Sequence, residues 1–338
     1  MRKKLIDLLD DFYSVSIIGM SKNAGKTTVL GKLIEQCQKK AIRVGLTSIG
    51  RDGEDVDIVT GTDKPRIFVA KDTIIATAAD LVKKSDITKE IMRSTGINTP
   101  LGEVVFVNAR SDGYVQIGGS SIGAQIMTLV DDFRELGAGK VFIDGALGRK
   151  TLVSPIVSEA ALLCSGASFS PDISKVISET VFTAKLLMLP CLVDETALNI
   201  IDKLPESQGN IVLIDKSYCY YNVTLDNLKA GRDNIAYIYF RGALTERMMD
   251  KLIMSNVNLR GVYIIVQDGS KLFISEKNYD KLIKSGAGLL VKRSIKLVAL
   301  TINPMSVSGY IFDKNVFLET VSERLDIPVY NVMDEEAD

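Results

Sequence analysis

The sequence predicts an α/β fold, in which a doubly wound, largely parallel β-sheet domain is followed by a second, smaller α/β domain. Short β-branched apolar runs recur along the 338 residues, and helical patterns lie between several of them. The apolar content of 46% is enough for a sizeable core. This alternation is typical of βα units whose parallel strands are buried on both faces. The runs that predict strands are 15–18, 42–47, 104–107, 141–143, 211–214, 235–240, 262–266, 297–302 and 327–332.

The boundary between the two domains is expected near residue 205. The segment 204–210, LPESQGN, has the least structured composition of the chain. We therefore expect a nucleotide-binding domain over residues 1–205 and a C-terminal α/β domain over residues 206–338. Within the first domain, two alternating runs flank Ser111-Asp112-Gly113 and predict a hairpin turn there.

Composition excludes several classes of function. The formal net charge is −1, so no global basic field exists to attract nucleic acid. No segment approaches the roughly 20 apolar residues of a membrane helix, and the four widely spaced cysteines suggest a reducing, cytoplasmic location. Cys164 ends an apolar run, 160–164, that has a helical pattern and is expected to lie in the core. The chain has no histidine, which excludes Ser-His or Cys-His catalysis and histidine-ligated metal.

Residues 14–28, SVSIIGMSKNAGKTT, predict a phosphate-binding loop between a strand and a helix. Such a loop needs backbone N–H groups in a small concavity, a lysine that reaches the β/γ-phosphates and a hydroxyl that holds Mg²⁺. The helix that follows would point its N-terminus at the anion. The alternative is a Gly-Lys-Thr turn that occurs here by chance. The predicted nucleotide-binding residues are Gly19, Ser21, Asn23, Ala24, Gly25, Lys26, Thr27 and Thr28.

Two acidic residues at predicted strand ends are candidate metal ligands together with Thr27. Asp144 ends the apolar run 141–143, and Asp52 lies just past the second strand, in the segment SIGRDGED. Lys26, Asp52 and Asp144 are the candidate catalytic residues, because phosphoryl transfer depends on positioning and charge stabilisation. The alternatives are an ordinary strand-end turn at Asp144 and a solvated acidic loop at Asp52.

These motifs resemble the SIMIBI class of P-loop NTPases over roughly residues 14–165. Five residues separate Gly19 from Gly25, a spacing similar to that of dethiobiotin synthetase, and IDGALG at 143–148 is similar to segments of that enzyme and of the cobyrinate amidases. The resemblance implies that Asp144 and Asp52 stand where the family places metal-linked acids. Ser21 occupies the position of the signature lysine of MinD and ParA relatives, which favours the dethiobiotin-synthetase-like branch. The resemblance implies an ATP·Mg²⁺ site, often with dimerisation across the nucleotide face, and the lack of a guanine-reading N-K-x-D segment favours ATP.

Three functions remain open at this point. The segments KNAGKTT and DGALGRK are similar to small proteins linked to lysine 5,6-aminomutase, which implies an ATPase that drives conformational change or reactivation of a partner such as a cobalamin enzyme. The second is an ATP-dependent synthetase that activates a carboxylate or carbamate, with the 118–121 loop and Arg149 beside the γ-phosphate. The third is a nucleotide-binding module whose second domain is a scaffold for protein contacts.

Overall fold

The structure is a computed structural model that describes residues 4–49, 66–146, 157–205, 209–228, 234–255 and 257–334. Contacts divide the chain into two compact units, residues 1–181 with 296–338 and residues 182–295. The first unit contains a nine-stranded sheet and the second a five-stranded sheet. The described part of the chain is therefore mixed α/β, with eight α-helices.

The first unit opens with a 3₁₀ turn at Ile6–Leu9 and then alternates strands with helices. Its elements up to the second unit are β1 (Ser14–Gly19), α1 (Lys26–Lys39), β2 (Val44–Ser48), β3 (Ile67–Val69), β4 (Ile74–Ala78), α2 (Ala79–Lys83), β5 (Lys89–Thr99), β6 (Gly102–Ala109), β7 (Gly113–Val115), α3 (Gly123–Glu135), β8 (Lys140–Ala146), β9 (Ala160–Gly166) and α4 (Ile173–Leu187).

The second unit carries most of its helices between parallel strands. Its elements are α5 (Glu195–Lys203), β10 (Ile211–Asp215), β11 (Tyr220–Val223), β12 (Ile235–Phe240), β13 (Leu244–Thr245), α6 (Glu246–Met254), β14 (Tyr263–Val266), β15 (Leu272–Phe273), α7 (Glu276–Lys284) and β16 (Gly288–Val291). The sheet order is β11-β10-β12-β14-β16, in which β12, β14 and β16 run parallel. Side-chain oxygens of Thr245 and Ser275 cap the first turns of α6 and α7.

The chain then returns to the first unit with β17 (Leu297–Asn303), α8 (Lys314–Ser322) and β18 (Val329–Asn331). The division expected at residue 205 therefore differs from the one that the contacts give, in which residues 296–338 belong to the first unit. The reason is strand pairing: β17 lies between β9 and β18, with Leu300 paired to Leu163 and to Val329. Leu300 is completely buried, so this segment is part of the first core and not of a separate C-terminal domain.

The large sheet has the order β18-β17-β9-β1-β8-β2-β4-β6-β5. Neighbours from β18 to β4 are parallel, and only β6 and β5 add antiparallel pairs at one edge. Alternate residues of β8 face opposite sides: Phe142 packs in the core that contains α1, and Val141 and Ile143 in the core that contains α3. The largely parallel sheet with helices on both faces is the expected α/β architecture.

Three local expectations differ from the structure. The strands that flank Ser111-Asp112-Gly113 do not pair with each other, because β6 pairs with β4 and β5 while β7 pairs with β3. The run 160–164 is the buried strand β9 and not a helix, although Cys164 is fully buried as expected. The long edge strand β5 was not expected, because its side chains are mostly exposed and give little hydrophobic signal.

Candidate phosphate-binding site

The loop between β1 and α1 has the backbone of an anion-binding turn. Asn23 and Gly25 adopt positive φ values of 59° and 94°, and Gly25 is the residue before the first turn of α1. Alternation of left-handed residues is how a short loop gathers its N–H groups. Gly25, at the N-cap position, has no side chain to cap α1, and the first turn of the helix holds no acidic residue. The orphan N–H groups and the positive end of the helix dipole are therefore available to an anion.

The predicted loop residues occupy distinct places in this turn. Ala24 is fully buried and anchors the loop in the core that contains α1, whereas Asn23, Thr27 and Thr28 are exposed. The hydroxyl of Ser21 donates to the Lys22 carbonyl oxygen at 3.0 Å, which holds the loop's outer edge. Thr27 faces solvent at the start of α1, which is compatible with the metal-binding role predicted for its hydroxyl.

Lys26 lies across Gly19, at the junction of β1 and the loop. A Cβ added at Gly19 would stand 2.9 Å from Lys26 Nζ and 3.1 Å from its Cγ and Cδ. Any larger residue at position 19 would therefore displace the lysine side chain. The half-buried side chain of Lys26 therefore lies over the start of the loop in which it is the predicted phosphate-binding lysine.

Asp144 is next to this lysine because β8 pairs with β1. Ile17 of β1 is opposite Asp144, and Ser48 at the end of β2 is opposite it on the other side. Burial raises the pKa of the Asp144 carboxyl, while the charge of Lys26 and the N–H of Gly145 act in the opposite direction. The structure therefore brings Lys26 and Asp144 together at the carboxyl edge of the sheet, where open α/β sheets place their ligands.

The donor chemistry at this edge fits Mg²⁺. A carboxylate and a threonine hydroxyl are hard oxygen donors, and Mg²⁺ usually takes one or two protein oxygens with water and phosphate in the remaining positions. Across the described ranges there is no group of three or more Cys, Asp or Glu residues that would hold a metal by itself. Asp52, the other predicted ligand, and Arg149 lie outside the described residues.

The loop at 118–121, a candidate second anion site, is occupied with its own hydrogen bonds. A Cβ at Gly119 would collide with the Ser48 carbonyl oxygen, so this glycine permits close packing against the end of β2. The Ser120 hydroxyl accepts the Ile122 N–H at 2.9 Å and contacts Gln125 Oε1. These contacts hold the turn that leads into α3.

Residues distant in sequence complete the site. A Cβ at Gly25 would lie 3.4 Å from Asn303 Cβ and 3.5 Å from the methyl groups of Val332. Asn303 ends β17 and Val332 follows β18, so the returning segment forms the wall beside the phosphate loop. In the sequence, Asn303-Pro304 directly follows the apolar run 297–302. A strand that ends in a polar residue was the available signal.

Comparisons with known proteins add little to this geometry. No protein-family model matches the chain, and no curated protein matches it. Among solved structures, the signal recognition particle receptor FtsY from Elizabethkingia anophelis aligns with 12% sequence identity and a TM-score of 0.28. The alignment covers 91% of this chain and 65% of that one, so the chain spans about two thirds of the FtsY structure's length. This likeness is too low to carry an argument about fold or function.

The helices were also compared with the dimensions of a bilayer. None of those in the described ranges has both the length and the apolar character of a membrane-spanning segment.

Proposed function

We propose that this chain binds ATP·Mg²⁺ at the 19–28 loop and uses ATP hydrolysis to change the conformation of a partner protein. The single observation that carries the nucleotide site is the placement of Lys26 over Gly19, at an uncapped helix N-terminus, with Asp144 on the adjacent strand. A positive charge, the first N–H groups of a helix and a carboxylate on the neighbouring strand are the parts that phosphate and its metal ion require.

Each part has a chemical role in this proposal. Lys26 and the first-turn N–H groups of α1 bind phosphate oxygens and offset the charge that develops on them during transfer. Thr27 and Asp144 hold Mg²⁺, which supplies further charge neutralisation when it is bound. Asp52 orients water or the metal ion. The lack of an N-K-x-D segment supports adenine over guanine.

A partner role is supported by the loop 305–311, which follows Asn303 directly. Met305 and Ile311 form an antiparallel bridge, so the loop is a small hairpin. Its apolar side chains face solvent: Val307 is 71% exposed and Ile311 67%. A Cβ at Gly25 would lie 3.4 Å from Asn303 Cβ. A conformational change in the 19–28 loop would therefore act on Asn303, which is two residues before the apolar hairpin. Exposed apolar patches commonly mark protein contacts.

Nucleotide binding is tested with Lys26→Ala and Asp144→Asn by isothermal titration calorimetry. Loss of a charge-assisted contact of ~1.5–3 kcal/mol corresponds to about 10- to 100-fold weaker ATP binding for Lys26→Ala. Asp144→Asn is expected to remove the effect of Mg²⁺ on affinity while leaving metal-free binding nearly unchanged. Lys39→Ala, at the far end of α1, is the matched control. Equal ATP affinity of Lys26→Ala and wild type would refute the site.

Partner coupling is tested by ATP turnover with and without a cobalamin-dependent aminomutase, the partner that the sequence resemblance implies. We expect slow turnover alone and acceleration by the partner. Val307→Ser is expected to keep ATP binding and lose the acceleration. If Lys26→Ala retains full effect on the partner, the scaffold alternative is correct instead. If a small carboxylate accelerates turnover and the partner does not, the synthetase alternative is correct.

A further inference from the structure

A row of tyrosines crosses one face of the five-stranded sheet in the second unit. Ile214 of β10 is opposite Tyr220 of β11 and Tyr237 of β12, and Tyr237 is opposite Tyr263 of β14. The rings of Tyr237 and Tyr263 are nearly parallel, with centroids 6.3 Å apart and 29° between their planes. Tyr220 is 46% exposed and Tyr263 44%. Tyr220, Tyr237 and Tyr263 are the tyrosine row.

The residue next to Tyr263 in the sheet is a glycine, and the missing side chain leaves room for the Tyr263 ring. Tyr263 is opposite Gly288 of β16, and a Cβ on Gly288 would stand 2.5 Å from Tyr263 Cδ1 and Cε1. The ring of Tyr263 therefore lies over β16, in the space that a side chain at position 288 would fill. The Cδ1–Cε1 edge of the ring approaches the sheet, and the exposure of Tyr263 shows that much of the rest of the ring meets solvent. The face of an aromatic ring carries the negative part of its quadrupole.

A carboxylate lies beside the row. Asp194 Oδ2 accepts hydrogen bonds from the hydroxyls of Tyr237 at 2.7 Å and Tyr218 at 3.0 Å. Asp194 Oδ1 caps α5 by accepting the Ala197 N–H at 3.0 Å. Partial burial raises the pKa of Asp194, but these hydrogen bonds outweigh it and the net pKa is below the ordinary value. A fixed negative charge therefore stands at the edge of the aromatic surface.

We propose that the tyrosine row and Asp194 bind the guanidinium group of an arginine on a partner protein. Aromatic faces attract cations, and arginine stacks on them more readily than lysine because its guanidinium is planar and weakly hydrated. The negative charge of Asp194, which accepts a hydrogen bond from Tyr237 in the row, attracts a cation as well. The half-exposed rings suit a side chain presented by a protein, since free small ligands need cavities that bury most of their surface.

The tyrosine row and the 19–28 loop belong to different units of the chain. All residues of the proposed arginine site belong to the unit of residues 182–295, and none of the nucleotide-binding residues does. The tyrosine hydroxyls also hold the cap of α5 in place, which by itself would be a purely structural role. A cation in solution distinguishes a binding role from a purely structural role. If the tyrosines bind a cation, their NMR signals shift when it is added, and if they only support α5, the signals do not shift.

The test uses the full chain labelled with 3-fluorotyrosine and observed by ¹⁹F NMR, with each resonance assigned by a Tyr→Phe variant. The probes are N-acetyl-arginine amide and its neutral isostere, N-acetyl-citrulline amide. We expect saturable shifts of Tyr237 and Tyr263 with arginine, and at least about threefold weaker binding of citrulline. Equal responses to the two probes, or an equal shift of Tyr114, would overturn the proposal. Tyr114 is a 49% exposed tyrosine in the other unit and is the internal control.

Variants separate binding from folding. Asp194→Asn keeps a good cap for α5 but removes the charge, and is expected to weaken arginine binding about three- to tenfold. Tyr263→Leu is expected to abolish the shift of Tyr237, and Tyr114→Leu to change nothing. Unchanged arginine affinity in both Asp194→Asn and Tyr263→Leu would overturn the proposal, as would tighter binding of tetramethylammonium than of blocked arginine. ATP binding is expected to be the same in all of these variants, so a failure here is distinct from failure of the nucleotide site.

Discussion

Gly19→Ala is the smallest change that tests whether Lys26 is positioned by the backbone of β1. The added methyl group would stand 2.9 Å from Nζ and 3.1 Å from Cγ and Cδ, whereas ordinary contacts begin at 3.4 Å. The ammonium group must therefore move by at least about 0.5 Å. Gly19 does not have a positive φ, so alanine fits the backbone. The clash is confined to the lysine side chain.

The expected loss follows from this displacement. A charge-assisted hydrogen bond to phosphate contributes ~1.5–3 kcal/mol at its short optimal length, and a shift of this size should remove about half of it. We expect ATP to bind about 4- to 13-fold more weakly to Gly19→Ala. The free energy of unfolding should change by less than about 1 kcal/mol, because the entropy lost by the unfolded chain offsets the local crowding.

The assay is calorimetric titration with a non-hydrolysable ATP analogue, together with urea denaturation. Gly31→Ala is the matched control, because a Cβ at Gly31 meets nothing within 4 Å on the same helix that Lys26 begins. The decisive measurement is a double-mutant cycle in which Gly19→Ala is added to Lys26→Ala. If the change acts through the lysine, the double variant binds no more weakly than Lys26→Ala alone. A further loss in the double variant, or wild-type affinity of Gly19→Ala, would show that the reasoning is wrong.

Three further predictions concern stability and are read by urea denaturation. A chain truncated after residue 205 should not fold cooperatively, because it lacks the two strands that complete one side of the nine-stranded sheet; a two-state transition of this fragment would contradict the strand order. Lys140→Met should lower the free energy of unfolding by ~2–4 kcal/mol, since the buried ammonium group donates to two backbone carbonyls of the N-terminal segment and these would lose their partner. Lys39→Met, at an exposed ion pair, should change it by less than ~0.5 kcal/mol, and equal effects of the two would argue against the buried role. Gly119→Ala should destabilise by ~1–3 kcal/mol because the Ser48 carbonyl oxygen that it meets belongs to a buried strand, and wild-type stability would mean that the loop can move.

Some elements of the fold could be predicted because residues close together in the sequence are enough to specify them. Residues 14–39 illustrate this. An apolar run predicts β1, a glycine able to adopt positive φ predicts the turn, and apolar residues at three- to four-residue spacing predict α1. Asp144 was predicted on the same grounds, as a polar residue at the end of a buried run. Its function, and those of Asp52 and the nucleotide-binding residues, remain predictions.

Other parts were missed because short apolar runs do not reveal their secondary structure. The run 160–164 satisfies a helical pattern as well as a strand buried on both faces, and only its pairing with β1 and β17 distinguishes the two. The exposed strand β5 forms because it pairs with β6. Its own side chains are mostly not buried, so they show little of the hydrophobic pattern that predicts a strand.

The sequence by itself determined the class of fold, predicted the glycine turn between β1 and α1 as a phosphate-binding loop, and singled out Asp144 in β8, because each of these features depends on neighbouring residues. Only the tertiary structure decided that residues 296–338 return to the first unit, that Asn303 and Val332 lie beside Gly25, and that tyrosines of separate strands form one row beside Asp194. The physical reason is that strand order and the meeting of distant strand ends depend on how cores are buried together. Each core is built from segments far apart in the chain, so the sequence of one segment does not show which others it packs against.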